Sequence, residues 1–242
     1  YCLLGGWGEA SGKVWFDDIS VTPKNPTRVN GLMTVEAVTA EAREIPLLIH
    51  KRNSQLLKIN IKCTGTDNPR NFENIKLQLN GTESLLNTYL YCTGNIATFE
   101  QKYQFGFSQS PAEEIEFSGK LRLKPGDNYF WLTCELKNDA DLLAKVSAQA
   151  ISATIDGKNY NIVQNKIVSQ RIGLALRKHN DDGVDTYRIP GIATSNDGTL
   201  LAIYDIRRDH SGDLQADIDV GLNRSTDGGK TWGETGCRNA LR

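Results

Sequence analysis

Along most of the chain, apolar and polar residues trade places at every second position, and the runs are short. Ile75-Lys76-Leu77-Gln78-Leu79 alternates cleanly and stops at Asn80-Gly81. Ile115-Glu116-Phe117-Ser118 and Leu121-Arg122-Leu123 alternate ahead of Pro125-Gly126-Asp127, and Leu56-Leu57-Lys58-Ile59-Asn60-Ile61-Lys62 does so in part. Successive side chains of an extended chain point to opposite faces, so this period of two gives each run one apolar and one polar face. Tyr129-Phe130-Trp131-Leu132 is apolar throughout and reads as a strand covered on both sides. Val146-Ser147-Ala148-Gln149-Ala150 leads to Asp156-Gly157, a hairpin turn pair. Val35 to Glu44 fits a short helix or a strand equally well. Strands at this spacing, punctuated by turn residues, predict an antiparallel β-sandwich over residues 28–168.

Near residue 172 the pattern changes. Gly173-Leu174-Ala175-Leu176 reads as a strand, Asn180-Asp181-Asp182-Gly183 as a turn, and three further strands are expected at 187–194, 199–206 and 217–224. The Asn196-Asp197-Gly198 turn joins the first two of these. Four antiparallel strands make one propeller blade, so residues 169–242 are expected to hold one blade and the start of a second. Ahead of the sandwich, residues 1–22 end in the single strand Gly12 to Thr22, and Pro23 to Pro26 marks a linker over 23–27, because proline disrupts strand pairing.

Composition narrows the partners. The net charge is −1, with 39% hydrophobic and 24% charged residues, so no basic stripe invites nucleic acid. No apolar run approaches the roughly 20 residues of a membrane span. Five cysteines, none in C-x-x-C spacing, and three scattered histidines favour neither a zinc site nor a disulfide framework. Asn80-Gly81-Thr82 is a glycosylation sequon, but Asn-Gly is also a hairpin turn, and the turn is the better reading.

The last quarter carries the chemistry. It contains Tyr187-Arg188-Ile189-Pro190, then Ile206-Arg207-Arg208-Asp209-His210-Ser211-Gly212-Asp213, then Ser225-Thr226-Asp227-Gly228-Gly229-Lys230-Thr231-Trp232. Together these motifs resemble the sialidase (neuraminidase) family. Arg-Ile-Pro opens the catalytic propeller in that family, and Ser-x-Asp-Gly-Gly-x-Thr-Trp is its Asp box. The Pro125-Gly126-Asp127-Asn128-Tyr129-Phe130-Trp131-Leu132 stretch resembles the sandwich that precedes the propeller in some bacterial sialidases. Val14-Trp15-Phe16-Asp17-Asp18 resembles the closing strand of a jelly-roll carbohydrate-binding module. The implied fold is all-β: an antiparallel sandwich followed by the beginning of a six-bladed β-propeller.

The resemblance implies roles for particular residues. A sialic acid carries a carboxylate on its anomeric carbon, which planar, bidentate arginine suits better than lysine. Arg188 matches the first of three carboxylate-binding arginines. Arg207, nineteen residues on, matches a second arginine that contacts the sugar, and Asp213, six further, matches the general acid and base. Ser225, Asp227, Gly229, Thr231 and Trp232 belong to the Asp box and are structural. Asp205, Asp209, Asp217 and Asp219 compete with Asp213 on composition alone, and Arg208 with Asp209 reads as a surface ion pair.

The implied reaction is exo-α-sialidase hydrolysis with retention, in which a tyrosine replaces the usual carboxylate nucleophile. It needs no cofactor and no metal. The tyrosine, its glutamate partner and two of the three arginines match no position here, so the chain is expected to be an incomplete fragment, inactive alone. Its partners are sialylated glycans, and the family implies a secreted, periplasmic or cell-surface setting. The alternative is a non-catalytic carbohydrate-binding sandwich with a propeller remnant. Trp131 and Tyr129 are then candidates to stack on sugar, although their continuous apolar run favours core packing.

Overall fold

A computed structural model describes residues 30–213, 216–234 and 236–237, the last two by backbone alone. The strand expected near Trp15, the 23–27 linker, Cys2, Arg238 and Arg242 lie outside the described residues. The described strands, in chain order, are β1 (Thr34–Ala42), β2 (Leu47–Ile49), β3 (Ser54–Thr64), β4 (Asn71–Asn80), β5 (Leu85–Gly94), β6 (Tyr103–Gln104), β7 (Glu114–Arg122) and β8 (Gly126–Leu136). They continue with β9 (Lys145–Ile155), β10 (Lys158–Asn161), β11 (Val163–Gln164), β12 (Gln170–Leu174), β13 (Thr186–Thr194), β14 (Leu200–Arg207), β15 (Ile218–Ser225) and β16 (Gly236–Cys237). The fold is all-β. The stretch from Val35, open between helix and strand in the sequence, is strand β1, paired antiparallel with β3.

Two sheets face each other. One runs β11-β1-β3-β8-β5-β6, the other β2-β12-β9-β4-β7, with β10 hairpinned onto β9. Alternation decides what lies between them. Ile59, Ile61, Phe130 and Leu132 from the first sheet and Phe72, Ile75, Phe117 and Ala153 from the second are fully buried in one apolar cluster. Phe72 and Phe130 meet with ring centroids 4.5 Å apart. Each such ring taken from water is worth about 1.5–3 kcal/mol, so this cluster supplies most of the chain's cohesion.

The non-alternating β8 is covered on both faces, as its sequence predicts. Phe130 faces the core, while Trp131 turns outward and is still only 2% exposed. Phe99 packs edge-on against its ring at 5.9 Å, and Arg43 and Lys58 lie over the ring at 5.7 and 5.8 Å. The indole N–H donates to Thr93 Oγ1 at 3.0 Å. No face of Trp131 is left open to a sugar.

The four-stranded sheet β13-β14-β15-β16 is separate. Its first strand differs from the sequence expectation. The run at Gly173-Leu174 does not belong to it. As β12, it pairs parallel with β2 and antiparallel with β9 in the sandwich. The buried Gln170 explains this: its side-chain amide donates to Ile45 O at 2.8 Å and Gln55 O at 3.0 Å, tying the strand to the sandwich edge. The fourth strand of the separate sheet is β16, on the far side of the Asp box. This sheet's own core is thin, with Val184, Tyr204 and Ile206 buried against Tyr187, while Ile192, Ile203 and Val220 stay exposed.

Candidate active site

Strand register brings the predicted residues together. Arg188 on β13 sits opposite Asp205 on β14, and Thr186 opposite Arg207. Opposed residues share a face, and so do residues two apart, so Arg188, Asp205 and Arg207 project from one face of the sheet. The ladder then slips between Arg188 and Gly191, where β13 carries one residue more than β14. Ile189 takes a φ of +52° inside this bulge. Left-handed backbone is unusual for a β-branched residue, and bulges of this kind turn side chains out of register beside functional sites.

The β14–β15 loop folds back over both guanidiniums. Arg188 Nη1 donates to Ser211 O at 2.8 Å and stands 3.5 Å from Asp213 Oδ1. Arg207 Nη1 donates to Ser211 O at 3.1 Å, to Gly212 O and to Asp213 Oδ1 at 2.7 Å. On its other side Arg207 Nη2 donates to Asp205 Oδ2 at 3.0 Å. The loop is shaped by Gly212, whose N–H donates to His210 Nδ1 at 3.0 Å; a Cβ there would meet that nitrogen at 2.8 Å. His210 thus braces the loop from its exposed side.

Exposure separates the two arginines. The Arg207 side chain is 4% exposed, against 41% for Arg188 and 56% for Asp213. In this geometry Arg188 is the guanidinium that solvent reaches, and Arg207 is enclosed by its own loop. The Arg207 hydrogen bond and charge, with a smaller contribution from Arg188, hold the Asp213 carboxyl below the usual carboxylate range. Asp213 in turn, then Asp205, raises Arg207 above the ordinary arginine range. The competing acids resolve differently. Arg208 pairs with Asp217 at 3.4 Å and Asp219 at 2.7 Å rather than with Asp209, which is exposed.

The Asp box closes the opposite end of β15. Ser225 Oγ donates to Asp227 Oδ1 at 2.8 Å and accepts from the Gly229 N–H at 2.9 Å. Asp227 accepts from the Thr231 N–H at 3.0 Å and from the Thr231 hydroxyl at 2.6 Å, and these bonds pull its carboxyl far below the usual range. Trp232 Nε1 donates to Gly229 O at 3.0 Å. Ile218 and Ser225 end a strand whose seven steps span about 23 Å, which separates this turn from Arg207. A cavity of about 1310 Å³ lies beside the Asp box, lined among others by His50, Leu143, Arg177 and Trp232. None of Arg188, Arg207 and Asp213 lines it. Among the described residues no group of three or more His, Cys, Asp or Glu is placed to hold a metal ion, and no helix is long and apolar enough to cross a membrane.

The N-terminal domain of BNR-repeat neuraminidase, as a family, matches residues 35–159, over half of the chain. The chain belongs to the neuraminidase family. It is 32% identical to a protein named sialidase from Bacteroides fragilis (strain YCH46), over 83% of this chain and 42% of that one. It is 50% identical to a sialidase of Paraclostridium sordellii, over 26% of this chain and 15% of the relative. Hadza microbial sialidase Hz136 shares the fold, with a TM-score of 0.71 over 82% of this chain and 43% of that structure, at 24% identity. The chain therefore spans less than half the length of the curated relatives it matches.

Sequence reasoning listed Asp205 only as a competitor of Asp213 and missed its bond to Arg207. The signal was there. An acid and an arginine two apart on a strand lie on one face, within reach of each other.

Proposed function

We propose that the chain is part of an exo-α-sialidase, with the sandwich bracing the first blade of its propeller. The observation that carries this reading is the approach of Arg188 and Asp213 to 3.5 Å with both side chains open to solvent, in a chain whose relatives are named sialidases. Arg188 binds the sugar carboxylate through charge-assisted bonds and holds it through an oxocarbenium-like state. Asp213 protonates the departing oxygen and later activates water. Asp213, its pKa lowered by Arg207 and then Arg188, is a carboxylate at neutral pH and must gain a proton before it can act as the acid. The substrate supplies the means: an incoming carboxylate engages Arg188 and places negative charge beside Asp213, and both effects raise its proton affinity.

The nucleophilic tyrosine, its glutamate and the other two carboxylate-binding arginines then come from outside these 242 residues, and the chain alone does not turn over. Sialylated glycans outside the cell, at its surface or in the periplasm are the substrates. The sealed Trp131 weighs against the alternative of a sugar-binding sandwich without catalysis. The test is release of free sialic acid from a sialylated oligosaccharide by this chain alone and by the chain extended with its native downstream sequence. The extended protein is expected to release it with net retention and the chain alone to release none. Absence of release from the extended protein would refute the assignment.

A further inference from the structure

Arg207 raises a question that its expected contact with sugar does not answer. It is one of the most enclosed charged side chains described, 4% exposed, yet it sits on a thinly packed sheet. Its Nη1 is spent on the loop, on Ser211 O, Gly212 O and Asp213. Its Nη2 is spent on Asp205. One planar group therefore joins two carboxylates, one rooted in β14 and one hanging from the loop. A guanidinium is suited to this, because its donors sit on separate nitrogens fixed in one plane.

We propose that Asp205 is a positioning residue for the acid Asp213: it anchors Arg207 from the strand side and shares the guanidinium's charge, so that Asp213 is held in place without being held too firmly as a carboxylate. This rests on the reading of Asp213 as the acid given above. Among the described residues, the groups facing Asp213 are few. Arg188 approaches from β13 and Arg207 from β14, with Asp205 behind Arg207, while His210 and Asp209 belong to Asp213's own loop. The two arginines favour the ionised form of Asp213. Asp205 counters the nearer of them, and Asp205→Asn removes that counter-charge while keeping an oxygen to receive Nη2.

The sign follows. With Asp205 neutral, the whole charge of Arg207 falls on Asp213, which becomes a weaker proton acceptor. An opposite charge at contact moves an aspartate by about 1–3 pH, so losing a partly compensating charge one group further away is expected to lower the Asp213 midpoint by about 0.5–1 pH, roughly a three- to tenfold smaller protonated fraction at fixed pH. The measurement is carboxyl-carbon NMR titration of Asp213 in the 242-residue chain, wild type against D205N, with D205E as the charge-retaining control. The midpoint should fall in D205N and return in D205E. An unchanged or raised midpoint in D205N overturns the proposal. Should D205N fail to fold, Asp205→Ser removes the same charge and meets the same criterion. In the extended protein, D205N should depress kcat near neutral pH, recover it at lower pH and leave KM close to wild type. A uniform loss at all pH values would instead mark a merely structural role and refute the assignment. Lack of turnover by the wild-type extended protein would sink the sialidase reading, and the titration would still decide the role of Asp205.

Discussion

The backbone at Ile189 offers a test in which two ordinary rules point in opposite directions. In a regular strand, glycine is worse than alanine by roughly 0.5–1 kcal/mol, because it loses more backbone freedom on folding. Ile189 is not in regular geometry. Its φ of +52° brings an L-residue's Cβ against the following carbonyl at a cost of about 1–2 kcal/mol, which glycine escapes. Glycine's extra unfolded-state entropy returns about 0.4–1 kcal/mol of that gain. Ile189→Gly should therefore be more stable than Ile189→Ala by about 0.5–1 kcal/mol. Both variants lose the same side chain beyond Cβ, and that side chain is 61% exposed, so burial cancels in the comparison. Ile192 is the control, on the same strand, also exposed, and outside the positive-φ set; there alanine should win. Native-state amide exchange of the β13–β14 ladder reads the difference, with roughly two- to fivefold slower exchange expected in Ile189→Gly than in Ile189→Ala. If the alanine variant equals or exceeds the glycine variant at both positions, the strained bulge beside Arg188 is not a feature of the protein in solution.

Other outcomes follow from the same physics. Trp131→Ala should cost the sandwich about 3–5 kcal/mol in denaturant unfolding, as a truncated core aromatic does; a loss under about 1 kcal/mol, with weakened glycan binding, would mean the indole serves a ligand. Burial pushes the Cys134 thiol up to about 12 and Cys63 up to about 11, so iodoacetamide at pH 8 should leave both unmodified in the native chain and label them once it is unfolded. Asp227 has a folded pKa below its ordinary 3.8, so its contribution to stability is present above about pH 4 and fades as pH falls below it. Asp227→Asn should flatten the acid limb of the stability profile of the β13–β16 sheet, and an unaltered limb would show that the turn's hydrogen bonds do not persist in solution.

How much of this was legible beforehand depends on the kind of interaction. The sandwich was readable because alternation at Ile75–Leu79 and the unbroken run at Tyr129–Leu132 record burial directly. The allegiance of Gly173-Leu174 was not, since its partner Leu47–Ile49 is remote in sequence and no local pattern specifies the tie. Arg188, Arg207 and Asp213 could be singled out by motif and spacing, and their convergence depends on register that no local pattern specifies. The enclosure of Arg207 and the role of Asp205 escaped notice because they arise from a loop folding back on its own strand. The positive φ of Ile189 was hidden by its chemistry, because an isoleucine before a proline predicts extended backbone.

On the sialidase reading, Asp213 delivers a proton to the leaving oxygen of a sugar whose carboxylate is held by Arg188. In the extended protein, turnover by wild type and D213A should be compared on two sialosides, one with a sugar leaving group and one with an activated phenolate that departs unaided. D213A should lose far more on the sugar aglycone than on the phenolate, while Arg188→Met should weaken both alike. Equal losses from D213A on the two substrates, or none on either, would contradict it.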